Sequence, residues 1–253
     1  MNQTTERTMA ILQLIAEYDN GITLQEIANH FHMAKSSASV IVHTLLELHY
    51  IKTMENNEKK YCLSVETFML GMKYVNRLNY VRECSLYLPS LAEKYNRTAF
   101  AAVLNNTDVV YMYKYAAQNA RLATCAIGST RPAYATALGK AIVAFLSPEE
   151  QKEVVSHTEF RAVTPNTITS RERFMDEMRI TKNRGYSREQ GELADITICY
   201  GAPIFDYTGK VIASISLSDI YDGKELNDNA MIHDLCETAM TISRNMGYQP
   251  SAH

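Results

Sequence analysis

The sequence predicts an α+β protein of two modules: an N-terminal winged helix-turn-helix and, after a linking helix, a larger module of helices around an antiparallel sheet. Three observations carry this. The 253 residues exceed the ~150 of an average domain. Residues 1–63 hold three short helical periodicities followed by a strand pair. From about residue 82 onward, strand-like and helix-like runs alternate. A 46% hydrophobic and 21% charged composition supports a packed core and excludes disorder and collagen.

In the first module, Met9, Leu12 and Ile15 recur at helical spacing behind Thr4 and Thr5, and Asn20-Gly21 ends the run. Thr23-Leu24-Gln25-Glu26 forms a capping box that starts a second helix, with Leu24, Ile27, Ala28 and Phe31 as its apolar stripe. After His32-Met33-Ala34 a third helix opens at Lys35. Ala38, Ile41, Leu45 and Leu48 share one of its faces, while Ser36, Ser39, Val40 and His43 point the other way. A short helix, a tight turn and a helix with a small polar outer face suit a helix-turn-helix, although any three-helix bundle would share the pattern. The hairpin that follows favours the former. Tyr50–Met54 and Lys60–Leu63 flank an Asn56-Asn57 turn, and Lys52, Lys59 and Lys60 set amines where a wing meets phosphates. The DNA-contacting set is therefore Lys35, Ser36, Ser39, His43, Lys52, Asn57, Lys59 and Lys60. Residues 1–63 carry five basic and seven acidic side chains, so affinity for DNA has to come from a local patch doubled by dimerisation.

Val65, Phe68, Met69, Met72 and Val75 then continue at helical spacing to about Tyr80, an apolar stripe suited to a second copy of the chain. In the second module the patterns predict a helix at Leu86–Tyr95 and strands at Thr98–Leu104, Asp108–Tyr115 and Arg121–Ile127. Helices follow at Ala137–Leu146, from Ser147-Pro148-Glu149-Glu150, and at Ser170–Asn183, the last ended by Arg184-Gly185. A hairpin joins Tyr200–Phe205 to Val211–Ser218, and a final helix spans Asp228–Met246. In Val211–Ser218, strict alternation sets Ser214, Ser216 and Ser218 opposite Val211, Ala213, Ile215 and Leu217. Three hydroxyls in a row suit a solvated face or the floor of a polar cavity, and spacing alone favours the former.

Other chemistries find little support. Five cysteines lie scattered without a CxxC pair, which excludes a zinc knuckle and a disulfide framework. GxSxG, HExxH and HxE…CxxC motifs are absent. Gly139-Lys140 resembles the end of a phosphate-binding loop, but Gly128 lies outside the required spacing and Ala141 replaces the magnesium-holding hydroxyl. His30-x-His32 fits a solvent-facing pair better than a metal site. Cys199 is a lone thiol on an apolar strand, by default an inert one. Thr136 caps a helix whose first N–H groups, from Ala137 to Gly139, suit an anion. No run reaches the ~18 apolar residues of a membrane span, and the N-terminus lacks a signal-peptide layout, so a cytoplasmic protein is expected.

Several segments together resemble the IclR-type bacterial transcriptional regulators: Leu24-Gln25-Glu26-Ile27-Ala28, Lys35-Ser36-Ser37, Ala135 through Ala141, Arg184-Gly185-Tyr186-Ser187, Ala202 through Gly209, and Ile215 through Ser218. Each is weak alone; their order and spacing are specific and cover essentially the whole chain. The resemblance implies a DNA-binding domain at 1–63, a linker helix at 64–81 and a GAF-like effector-binding domain at 82–253. It implies a ligand-responsive, non-enzymatic regulator without cofactor, more often a repressor, bound to a double-stranded DNA operator as a homodimer or dimer of dimers. Its effector is a small carboxylic acid from a catabolic pathway, lying between Ala137-Leu138 and the hydroxyls of Ser216 and Ser218, with Glu189, Thr197 and Cys199 completing the pocket. The chain departs from the usual pattern at Glu189, where Asp is common, and at Ser39-Val40, where a His-Arg pair is common. Two rivals remain: an enzyme with Cys199 as nucleophile and Glu189 as acid/base, and a protein-interaction adaptor on the same fold.

Overall fold

The computed structural model describes residues 3–55, 57–75, 79–121, 125–221 and 228–249. The chain forms two compact units, Met1–Leu78 and Asn79–His253.

The first unit runs α1 (Gln3–Ala16), β1 (Ile22–Thr23), α2 (Leu24–His30), α3 (Lys35–Glu47), β2 (Ile51–Met54), β3 (Asn57–Leu63) and α4 (Val65–Val75). Both halves of the capping box are made: the Glu26 N–H donates to Thr23 Oγ1 at 3.3 Å, and the Thr23 N–H donates to Glu26 Oε2 at 2.8 Å. The core gathers Ile11, Leu14, Ile15, Ile27, Ala38, Ile41, Val42 and Leu45. Two apolar positions fall elsewhere than expected. Met9 is exposed, because α1 carries apolar residues around a wide arc and packs through Ile11, Leu14 and Ile15 instead. Leu48 is exposed because α3 ends before it. β1, too short to show any periodicity, pairs with β3 and makes the wing a three-stranded sheet of order β1-β3-β2. Asn56, half of the predicted turn, lies outside the described residues.

The second unit runs α5 (Asn79–Tyr95), β4 (Thr98–Asn105), β5 (Asp108–Ala116), β6 (Thr130–Pro132), a single 3₁₀ turn (Ala133–Ala135), α6 (Ala137–Val143), α7 (Pro148–His157), α8 (Arg171–Arg184), β7 (Ser187–Gln190), β8 (Thr197–Phe205), β9 (Val211–Ile220) and α9 (Asn229–Asn245). Its six strands form one antiparallel sheet of order β6-β5-β4-β9-β8-β7. α6 packs on one face, and α5 and α9 cover the other.

Helices on both faces explain why both sides of β9 are buried, and they overturn the solvated-face expectation for its serines. Ser214 Oγ donates to the Leu138 carbonyl at 2.9 Å, tying the sheet to α6. Two glycines allow so close an approach. A Cβ on Gly201 would stand 2.7 Å from the Ala137 carbonyl oxygen, and one on Gly139 2.3 Å from the Ala133 carbonyl oxygen. The strand expected at Arg121–Ile127 is not one. Arg121 and residues 125–127 are irregular, and residues 122–124 lie outside the description. The edge of β5 is met instead by Gly128 and Ser129, which exchange backbone bonds with Tyr111, and then by β6. β7 escapes the periodicity because its buried residues, Ser187 and Glu189, are polar.

Candidate functional sites

In the first unit, α3 presents a polar outer face. Packing of Ala38, Ile41, Val42 and Leu45 fixes the opposite side inward. At 100° per residue, this directs Ser36, Val40, His43 and Glu47 outward within about 60° of one another. Lys35, Ser36 and His43 are exposed and Ser39 is half-buried. His43 Nδ1 lies 3.9 Å from Glu47 Oε1. In the wing, Lys52, Asn57 and Lys59 are exposed, and Asn57 Oδ1 accepts the Lys59 N–H at 3.1 Å. Lys60 is placed differently. Its half-buried amine donates to the Asn20 carbonyl at 3.3 Å, so it closes the turn after α1 rather than extending the wing's cationic edge.

In the second unit, pairing across the sheet aligns Glu189, Cys199 and Ser218 in one row, and Ser216 and Phe100 in the next. Residues directly opposite on paired strands share a face, and here that face looks onto the start of α6. Between them lies a cavity of about 50 Å³, bordered by all of Ala137, Leu138, Glu189, Thr197, Cys199, Ser216 and Ser218. Phe100, Tyr111, Cys125, Ala135, Thr136 and Leu193 complete the wall. Phe100 and Tyr111 could have been found only by knowing strand pairing and register, which no local spacing reveals.

Hydrogen-bonding groups from α6 and from the sheet line this cavity. Thr136 Oγ1 accepts the Gly139 N–H at 3.0 Å, and Ala137 and Leu138, at a helix start where N–H groups have no intrahelical partner, line the cavity. α6 is only two turns long, shorter than expected, so its dipole adds little to the N–H groups themselves. Glu189 Oε1 accepts the N–H groups of Glu192 at 2.6 Å and Leu193 at 3.3 Å, and the Thr197 hydroxyl lies 3.2 Å from both carboxylate oxygens. Burial nevertheless dominates and pushes the Glu189 carboxyl above its ordinary range, against the Glu192 and Leu193 N–H bonds, a bond with Cys199 and the Lys140 charge.

Lys140, which sequence reading considered only as a phosphate-loop residue, is almost wholly buried. Its amine pairs with Glu192 and donates to the Arg188 carbonyl at 2.8 Å. It thereby anchors the turn whose N–H groups hold Glu189. The Cys199 thiol is pushed well above its usual value, chiefly by burial and then by the neighbouring Glu189. A thiol so placed stays protonated and is a poor nucleophile. His30 lies edge-on to Phe31, with ring centroids 4.8 Å apart. Among the described residues no group of three His, Cys, Asp or Glu side chains is placed to hold a metal.

Comparison with known proteins agrees across the chain. The IclR helix-turn-helix family model matches residues 4–54, and the bacterial transcriptional regulator IclR C-terminal model matches residues 72–244. The HTH-type transcriptional regulator KdgR of Dickeya chrysanthemi is 28% identical over 96% of this chain and 79% of its own length. The crystal structure of the Thermotoga maritima IclR superposes with a TM-score of 0.76 at 26% identity, covering 98% of this chain and 100% of that one. An IclR homolog from Microbacterium hydrocarbonoxydans, complexed with 4-hydroxybenzoate, shares the fold with a TM-score of 0.81 at 18% identity, over 96% of this chain and 99% of that one.

Proposed function

The chain belongs to the IclR family and is a DNA-binding transcriptional regulator rather than an enzyme, and on that premise we propose that it is a repressor of a catabolic operon controlled by a small carboxylic acid. The carrying observation is the cavity under α6, lined by Ala137, Leu138, Ser216, Ser218 and a buried Glu189. Backbone N–H groups at the helix start and the serine hydroxyls are donors that suit a carboxylate. The Glu189 carboxyl suits a hydroxyl or amine on the same molecule.

A volume of 50 Å³ is room for about three to five waters at ~10–15 Å³ each, so the acid carries few heavy atoms. DNA is held by residues 1–63, through Lys35, Ser36, Ser39 and His43 on α3 and Lys52, Asn57 and Lys59 on the wing. The linking helix joins two copies. Calorimetry against two- to five-carbon hydroxy, keto and amino acids tests the pocket, with one class expected to bind and to release DNA in a gel-retardation assay. Absence of heat with every acid overturns the carboxylate assignment. Absence of retardation at low salt with fragments flanking the gene overturns the operator.

A further inference from the structure

Val40 is the one large apolar side chain on the outer face of α3, and at 68% exposure it is among the most solvent-exposed hydrophobics of the described residues. It sits one turn beyond Ser36, one turn before His43, and almost diametrically opposite the buried arc of Ala38, Ile41, Val42 and Leu45. Nothing in its own module covers it. An isopropyl group cannot bond a phosphate or the polar edge of a base. The apolar feature that a major groove offers is the C5 methyl of thymine. A β-branched side chain in a helix is also held in one dominant rotamer, so a contact made there loses little side-chain freedom.

We propose that Val40 is a specificity-determining residue that reads one thymine in each half-site through its C5 methyl. Ser36 and His43 flank it and address the neighbouring polar base edges. The inference rests on α3 being the helix that enters the major groove.

The test uses the full-length protein and duplexes it selects from a randomised library, in which each thymine is replaced singly by deoxyuridine, a change that removes only the methyl. Losing one buried methyl is expected to weaken binding about fourfold, at ~0.8 kcal/mol per buried carbon. The loss should fall at one thymine per half-site, related by the two-fold of the operator. Val40→Ser removes both methyls of the side chain at an exposed position, so it should fold as the wild type. It should bind the thymine and deoxyuridine duplexes within a factor of two of each other. Equal wild-type affinity for every deoxyuridine duplex overturns the proposal, as does a penalty that persists in Val40→Ser. If no duplex is selected at all, DNA binding through α3 fails and this inference fails with it. Selection without any methyl effect leaves the operator reading intact and removes only the role of Val40.

Discussion

Two residues of the first unit stand in backbone conformations that their side chains disfavour. His32, between α2 and α3, has φ +48°, and His49, between α3 and β2, has φ +60°. Left-handed backbone costs a residue with a Cβ about 1–2 kcal/mol, part of which glycine gives back as unfolded-state entropy. His49→Gly is therefore expected to stabilise the first unit by about 0.5–1 kcal/mol, raising its Tm by a few degrees. A melt unchanged or lowered would mean that the His49 side chain makes a stabilising contact of its own. Glu189 bears the opposite relation to its surroundings, since burial raises its carboxyl above the ordinary 4.5. Between that value and its own raised one, the unfolded chain has lost the proton while the folded chain keeps it, so stability falls as pH rises through this window. Glu189→Gln removes that loss, and its advantage over the wild type in denaturant midpoint should be larger at pH 8 than at pH 5. Glu192, also raised chiefly by burial, is raised further by the Glu189 charge, so Glu189→Gln relieves part of its shift as well and adds to the difference in the same direction. An advantage independent of pH would show that Glu189 is not the group responsible. Neither strain nor burial of this kind is written in spacing: nothing local marks His49 as left-handed, and Glu189 is reached only through the family resemblance.

Elements were legible where their own side chains decide them. The capping boxes at Thr23 and Ser147 are complete in the structure, and the helix ended by Arg184-Gly185 closes with Gly185 in left-handed conformation. Elements decided by their partners were not: β6 and β7 exist because β5 and β8 present open edges, and the burial of both faces of β9 follows from α6 on one side and α5 and α9 on the other. The same division applies to α4. Its stripe was evident from periodicity, and in the isolated chain Val65, Phe68, Met69 and Leu70 are exposed while Met72 is half-buried. An apolar face of this kind, at ~25 cal/mol per Å² buried, gains by association what a lone helix in water cannot. Phe68→Asp, at a position 65% exposed, leaves the monomer's core untouched. It should shift the protein towards monomer in light scattering and weaken operator binding in parallel. A wild-type protein that scatters as a monomer at micromolar concentration refutes dimerisation through this stripe.

At the scale of the whole molecule, regulation requires that a ligand in one unit change the affinity of the other for DNA, and a ligand can shift such an equilibrium only by its differential affinity for the two states. On the proposed reading, the residues that hold the acid set the acid concentration at which the response occurs without contributing to DNA affinity in its absence. Ser216 and Ser218 are suited to test this. Both are buried on the cavity floor, and neither lies in the unit that carries α3 and the wing. A hydroxyl donating to a carboxylate contributes about 1.5–3 kcal/mol, so removing both should weaken binding of the acid by roughly a hundredfold or more. Ser216→Ala with Ser218→Ala trims one oxygen from each position and creates no clash in an already open cavity. The double variant is expected to bind operator as the wild type does when no acid is present, and to keep it bound at acid concentrations that release the wild type. At concentrations raised in proportion to the lost affinity, the response should return, because the coupling belongs to the equilibrium between states and only the occupancy has changed. Release at unchanged acid concentrations would show that the serines do not hold the ligand. Loss of operator binding in the absence of acid would show that they shape the DNA-competent state itself.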